Sequence, residues 1–503
     1  MSKSTVKILK HLVVKRIKKK FPKFSTHTKK RKKEILTNIW NEVYNNYDIS
    51  HEPNLSKQDL LNLEPLPKNV ITIDQMKKRM SEKQVKLLPL AAPGKAKHIT
   101  DPELKAIDDS VDWELINQLL ALPNYMPGKR ELLPVQFFKA ELLKHLKYPE
   151  FSYRKYCEHE INKAERKEHR AFIGLKPGQT INHSQLSQFR TSLTFRQLVN
   201  IMVYFICLFQ ENKQLGSSTF HAIDSSEVAA RISPYPLFKM KLGNDTVRVY
   251  QDIDADVGTR RQKRDKSMFV VGYRLHTLTV IDAQTQIAYP LLSLIAPANH
   301  HDSNFLELLI DFGRMIGLQL NIVTTDQAYG DVDELESIQK KHHVTVLNAP
   351  KELAKLPKHV DAKTYGVRKD AFCTTDMGYA GCDDEYGHEF HCNATPGECP
   401  LDGTCSKLRF VPVDTGIFGK IPYFLDGAQK IVAMRKVAER PFNLIKHRDG
   451  LEPLRSKGIH NAMVVAGIAN ITTLLIEIAG YRRKKQVKEH AKTIPFEFMR
   501  KAA

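Results

Sequence analysis

MFVVGYRLHTLTVIDAQTQIAYPLLSLIAP, residues 268–297, reads as two long strands joined across Asp282-Ala283-Gln284-Thr285. The β-branched and aromatic content on both sides of a short polar turn is the mark of a hairpin. Upstream, TFHAID (219–224) reads as a short strand ending at Asp224. Downstream, a helix is expected at about 303–317, with Asp302 or Ser303 as its cap. NIVTTD (321–326) follows as a strand, DVDELESIQKK (331–341) as a helix and VTVLNA (344–349) as a strand. The order predicts a mixed sheet with helices on its faces.

One strand, a hairpin, then helix–strand–helix–strand is the order of a ribonuclease-H-like α/β core, here expected over 216–349. A helical domain precedes it at 114–215, with apolar residues at helical spacing in ELLPVQFFKAELLKHLKY and SLTFRQLVNIMVYFICLFQ. Between them, KPGQTINHSQLSQFRTSL (176–193) reads either as a helix-turn-helix reader carrying Arg190 or as an ordinary packing module. Residues 62–113 contain several prolines and scattered charges and read as a linker. A Cys-rich insertion is expected at 350–426, and the core resumes at 427–480.

The 503-residue chain carries a net charge of +21. Residues 1–33 hold 14 Lys and Arg without any Asp or Glu, and 481–503 form a second basic tail, which leaves the body near neutral. Such tails fit a polyanion, because each neutralised phosphate releases counterions. Residues 1–61 therefore read as a basic helical DNA-binding arm, with Lys29, Lys30 and Arg31 as phosphate contacts. Within it, Val6, Leu9, Val13 and Ile17 share one stripe, which fits a helix lying along DNA or, alternatively, on a membrane surface. AMVVAGIANITTLLIEIAG (462–480) approaches membrane-spanning length, but Asn470, Glu477 and two threonines favour a buried helix. No membrane partner is expected. Seven cysteines in a chain of this length do not form a disulfide scaffold, and a cytoplasmic protein is expected.

Three carboxylates stand in contexts suited to divalent metal: Asp224 and Asp326 at strand ends, and Glu439 in RKVAERPFNLIK (435–446). Mg²⁺ takes oxygen ligands and keeps several waters, so two or three carboxylates suffice for a pair of ions. On a regular helix Glu439 lies about 40° from Arg435, and Lys446 about 20° from it. The stripe therefore sets a metal ligand between two phosphate-binding cations. Pro441 is expected to kink or restart that helix. The plainer alternatives are turn-capping aspartates and a surface ion-pair ladder. Asp256 and Asp331 rank lower as ligands, and His300, His301 and Asp302 form a further possible metal cluster.

The chain resembles a DDE-type transposase of a bacterial insertion sequence, in the branch whose third segment follows Y-x2-R-x3-E-x6-K. Arg435, Glu439 and Lys446 match that spacing, and Val432 stands at the Tyr position. Asp326-Gln327-Ala328-Tyr329 matches D-x-G/A-Y. VGYRLHTLTVI and ANHHDS resemble the family's G-Y-K-L-H and A-N-x-H-D-S, with Arg274 for Lys. The resemblance implies that Asp224, Asp326 and Glu439 hold two Mg²⁺ or Mn²⁺ ions. It also implies cleavage at transposon terminal inverted repeats, followed by attack of the freed 3′-OH on target DNA. A homodimer in the synaptic complex and a nucleoid location in a bacterium or archaeon follow from it. The alternatives are a catalytically inactive DNA-binding derivative and a nuclease that cuts without joining.

Cys373, Cys382, Cys392, Cys399 and Cys405 crowd into the insertion together with His388 and His391. Structural Zn²⁺ would compensate there for a small core. No CxxC pair is present, and reduced, unliganded cysteines are the alternative.

Overall fold

The computed structural model describes residues 3–47 except 23, 25 and 26, then 66–82, 99–121 and 132–213. It further describes 219–348 except 243–244, 262–266 and 330–331. The last part is 360–493 except 361–365, 370–372, 374, 384, 396, 400–403, 413–424, 449 and 453.

The first eight strands are β1 (Thr219–Ala229), β2 (Phe238–Leu242), β3 (Asp245–Val249), β4 (Asp256–Arg261), β5 (Ser267–Asp282), β6 (Ile287–Pro297), β7 (Ile322–Thr325) and β8 (Thr345–Asn348). Six of them make one mixed sheet in the order β4-β5-β1-β7-β8, with β6 also on β5. β5 is long enough to take β4 along 267–272 and β6 along 273–282. Its other edge pairs antiparallel with all of β1, from Thr219↔Asp282 to Ala229↔Gly272. β1 runs parallel to β7, and β7 parallel to β8. β6 is buried almost throughout, as expected for a near-continuous apolar strand covered on both faces.

One sequence expectation is corrected here. The first strand does not end at Asp224 but continues through SSEVA to Ala229, because β5 offers a full-length partner. Asp224 is thus a mid-strand residue. Gly272 of the VGYRLH segment has a steric reason: a Cβ there would lie 2.2 Å from the Val228 carbonyl oxygen and 2.7 Å from the Ala230 nitrogen. Both are backbone atoms that cannot give way without parting β1 from β5.

α1 (Lys3–Lys20) and α2 (Lys29–Asn45) form a satellite core with the β2–β3 hairpin. Leu9, Val13 and Ile17 of α1 pack with Ile35, Leu36, Ile39 and Trp40 of α2 and with Phe238 and Val249. The apolar stripe therefore faces protein rather than a lipid surface; the Val6 side chain lies outside the described residues. Lys18 pairs with Asp254 at 2.8 Å, and Lys10 with Asp256, which fastens α1 to the sheet.

The 62–113 segment is not simply a linker. It contains α3 (Ile73–Ser81) and α4 (Pro102–Ser110), whose Ile73, Met76, Leu104 and Ile107 enter the main core. Thr72 and Gln75 make a capping box, and Asp101 caps a helix with Pro102 at its first position. A proline there marks a helix start rather than a loop. Residues 48–65 and 83–98 lie outside the described residues.

α5 (Trp113–Leu119), α6 (Pro134–Lys147), α7 (Lys167–Ile173), α8 (His183–Ser192) and α9 (Phe195–Lys213) build the expected helical region. α8 does not present Arg190 to solvent. Arg190 is 6% exposed, forms an ion pair with fully buried Glu141 and lies 3.9 Å over the Tyr153 ring. Its assignment as a phosphate contact is therefore corrected: the guanidinium neutralises an interior carboxylate.

α10 (Leu306–Met315) and α11 (Val332–His342) flank the sheet. The insertion contains a separate three-stranded antiparallel sheet of β9 (Gly378–Asp383), β10 (Gly387–His391) and β11 (Leu408–Val411). α12 (Asp426–Met434), a 3-10 turn over Arg435–Ala438, α13 (Glu439–Asn443) and a π turn over Leu444–Arg448 follow. α14 (Ile459–Thr493) closes the described chain and runs into the segment read as a basic tail; 494–503 lie outside the described residues.

The stretch of α14 apolar enough to cross a membrane is mostly buried inside the fold. Several of its polar groups find partners there, although the Asn470 side-chain oxygen is buried without one among the described residues. Asn470 Nδ2 donates to Ser293 Oγ at 2.8 Å, and Thr472 and Thr473 donate to the carbonyls of Ile468 and Ala469.

Two stability predictions follow from this packing. Gly272→Ala lowers stability by about 1–3 kcal/mol through forced overpacking, read as a shift of the urea midpoint. Arg190→Ala costs about 3–5 kcal/mol, because Glu141 is left buried without its Arg190 partner; the same urea titration checks it.

Candidate active site

The register of β1 and β7 sets up the site. Ile223 pairs with Thr325 in parallel, so the next residues, Asp224 within β1 and Asp326 just past β7, lie side by side. Asp326 begins the turn after β7, where the Tyr329 N–H donates to the Asp326 carbonyl at 3.0 Å. The Tyr329 side chain is fully buried, with its hydroxyl 3.5 Å from His276 Nδ1. His276 in turn stacks on Phe305, with ring centroids 3.7 Å apart. The tyrosine of the D-x-x-Y segment thus anchors the loop that carries Asp326.

Glu439 arrives from far along the chain. Ala438, fully buried, packs with Phe220, Ala222, Ile281 and Ala288 on the sheet, and Val437, Met434 and Ile431 flank it. This small contact face seats the 435–443 segment against β1. The helix expected over 435–446 is not a uniform α-helix but a 3-10 turn, an α turn and a π turn in succession. Pro441 sits in the first turn of α13, where the helix type changes from 3-10 and a proline is tolerated.

The three carboxylates meet around one side chain. Arg435 Nη1 donates to Asp224 Oδ2 at 3.0 Å, while Nη2 lies 3.9 Å from Asp326 Oδ1 and 3.8 Å from Glu439 Oε1. The Glu439 side chain is 65% exposed, so the site opens on its side. Asp224 is 9% exposed, and its Oδ1 accepts the Ser225 N–H at 2.8 Å. Burial pushes its pKa up to about 6 against the opposing pull of Arg435, with Asp326 and Glu439 adding to the rise.

Lys446, on the π turn, reaches β1 two residues beyond Asp224. Its Nζ donates to Ser226 Oγ at 3.3 Å and pairs with Glu452 Oε2 at 2.8 Å. Glu452 Oε1 also accepts the Ala229 N–H at 3.0 Å. Sequence reading missed Glu452, because its link to Lys446 crosses a non-helical segment where no periodic spacing flags it.

Other candidate residues fall elsewhere. Lys29, Lys30 and Arg31 are exposed in the first turn of α2, with Arg31 3.2 Å from Glu34. Asp302 holds Arg274 at 2.6 Å, and Arg274 holds Glu227 at 2.9 Å. His301 accepts or donates within its own turn, to Ser303. The ANHHDS segment therefore braces β1 and β5, and His300, His301 and Asp302 form no metal-ligand grouping among the described residues. Asp256 is taken by Lys10, and Asp331 lies outside the described residues.

In the insertion, His388 on β10 pairs in register with Cys382 on β9, and His391 contacts Glu389 at 2.6 Å. The N–H groups of Ala394 and Lys407 donate to the sulfurs of Cys392 and Cys405 at 3.5 and 3.4 Å. Cys373, Cys382, Cys392, Cys399, Cys405, His388 and His391 are not gathered into a three-ligand group among the described residues. The one such grouping is Glu307, Asp311 and His342, with ligand atoms within 4.8 Å of one another. It lies on α10 and α11, where Lys341 also pairs with Glu307.

No family model matches the chain, and no curated protein matches it. Among solved structures, the piggyBac transposase synaptic complex with hairpin DNA is similar at a TM-score of 0.30 and 12% identity. That alignment covers 78% of this chain and 77% of the other.

The raised pKa of Asp224 gives a pH prediction. An acid whose pKa is higher folded than unfolded adds stability below the unfolded value, and that stability is lost as pH rises through the folded one. Asp224→Asn removes the loss, so the variant is more stable than wild type above pH 6 by about 1–3 kcal/mol. The difference shrinks between pH 6 and 4; chemical denaturation across that range in metal-free buffer checks it.

Proposed function

We propose that this protein is a transposase of the DDE type, which cuts DNA at transposon ends and joins the freed ends to target DNA. The observation that carries the reading is the convergence of Asp224, Asp326 and Glu439, from three distant segments, on the Arg435 guanidinium. The sheet, in which β1 is antiparallel to β5, β5 antiparallel to β6, and β1, β7 and β8 run parallel, supports a ribonuclease-H-like core.

The donor set is three carboxylates, one within a central strand, one just past its neighbour and one on the helical segment packed over them, a hard-oxygen set that fits Mg²⁺ or Mn²⁺. Asp224, Asp326 and Glu439 would hold such ions. When bound, a pair of them activates the attacking oxygen and stabilises the leaving one. The remaining work belongs to the chain. Asp224 and Asp326, fixed by adjoining strands, set the spacing of the site. Glu439 lies on the open side, where a DNA strand has access. Lys446, oriented by Glu452 and Ser226, offers its ammonium to a phosphate alongside the site. Lys29, Lys30 and Arg31 extend the basic surface available to the duplex. Synapsis of two ends calls for a homodimer, acting on DNA in the cytoplasm.

A supercoiled plasmid carrying the inverted repeats that flank the gene tests this reading. With Mg²⁺, wild type nicks at the repeat ends and yields strand-transfer products. Asp224→Ala, Asp326→Ala and Glu439→Ala each lower that rate by about a thousandfold or more. Unchanged cleavage by Asp224→Ala sinks the assignment, and cleavage without joined products marks a nuclease instead.

A further inference from the structure

We propose that Arg435 is the resident cation of the carboxylate site, and that divalent-metal entry is an exchange with it. The inference rests on the transposase reading and extends it to how the site is loaded. Arg435 faces Asp224 at 3.0 Å, Asp326 at 3.9 Å and Glu439 at 3.8 Å, all three from the same two terminal nitrogens. The oxygens that would ligate metal are therefore already turned toward a positive charge.

A Mg²⁺–oxygen bond of about 2.1 Å to Asp224 needs the lone pair that the guanidinium now uses, and the other two carboxylates face the same charge at longer range. The two cations would also repel strongly beside buried Asp224 and half-buried Asp326. Arg435 cannot relieve that repulsion by losing a proton, because a guanidinium stays charged in proteins. Its side chain must move. The backbone need not, since Ala438 pins the 3-10 turn to the sheet. The open direction lies past exposed Glu439, where a DNA phosphate would offer the displaced guanidinium a two-pronged partner. Lys446 is not the resident cation of the three carboxylates, because its ammonium pairs with Glu452 and Ser226. Metal loading and phosphate binding are then coupled: each removes an obstacle to the other.

Mn²⁺ titration of the DNA-free full-length chain, with free Mn²⁺ read by electron paramagnetic resonance, tests the exchange without using activity. Arg435→Gln should bind Mn²⁺ about tenfold or more tightly than wild type, because a competing cation is gone. Arg435→Lys keeps the charge but lacks the fork, and should fall between the two. Asp224→Asn should lose the binding. Circular dichroism melts establish folding; if Arg435→Gln does not fold, Arg435→Lys decides, with tighter binding than wild type in support. Equal or weaker Mn²⁺ binding by the deciding variant, with binding still lost in Asp224→Asn, overturns the exchange and leaves the metal site standing. Mn²⁺ binding indifferent to Asp224→Asn sinks the transposase reading and the exchange with it.

Discussion

Everything in the candidate site depends on β1 being bonded along both edges. Its antiparallel ladder to β5 spans all 11 residues, and its parallel partner β7 sits on the other side. The antiparallel ladder fixes which residues of β1 face which layer, since a slip of one residue would reverse every side chain. The parallel partner brings the end of β7 level with the middle of β1. Asp224 and Asp326 become neighbours through backbone hydrogen bonds alone, before any side chain contributes.

The arrangement has an energetic cost. Asp224 lies where desolvation outweighs its ion pair, so its charged form strains the fold at neutral pH. Nearby polar groups are braced rather than left to water: Arg274 by Glu227 and Asp302, and Lys446 by Glu452 and Ser226. The interior helix α14 follows the same rule, returning its threonine hydroxyls to its own carbonyls. Burial raises the pKa of Asp252 as well as that of Asp224, and the hydroxyls of Thr324 and Thr325 on β7 are buried without a hydrogen-bond partner among the described residues, so the cost is shared among several groups in and beside the sheet.

Much of this was legible in the sequence, for identifiable reasons. Strands β5 and β6 announce themselves by β-branched and aromatic runs on either side of a polar turn, and the order of elements after them follows. Asp224, Asp326, Arg435 and Glu439 were each picked out by local context, and the structure places all four together. The extent of β1 was not legible, because SSEVA is a strand only when β5 is there to pair with it. Arg190 was misread for a related reason: its partner Glu141 lies 49 residues away. The prolines before α3 and α4 resemble linker punctuation until their caps are seen. The helical stripe of 435–446 assumed one helix type, whereas the segment uses three.

That mixture of helix types gives the third segment a built-in ruler. A π turn holds one more residue than the α turn it replaces, and such turns are kept mainly where they serve a site. The turn over Leu444–Arg448 carries Lys446 at its centre. Its surplus residue works like the extra tooth of a gear: it sets the angle at which the ammonium leaves the backbone relative to Glu439. The motif's count of intervening residues therefore measures rotation, and trimming one would swing Lys446 by about 100° from Ser226 with every contact upstream intact.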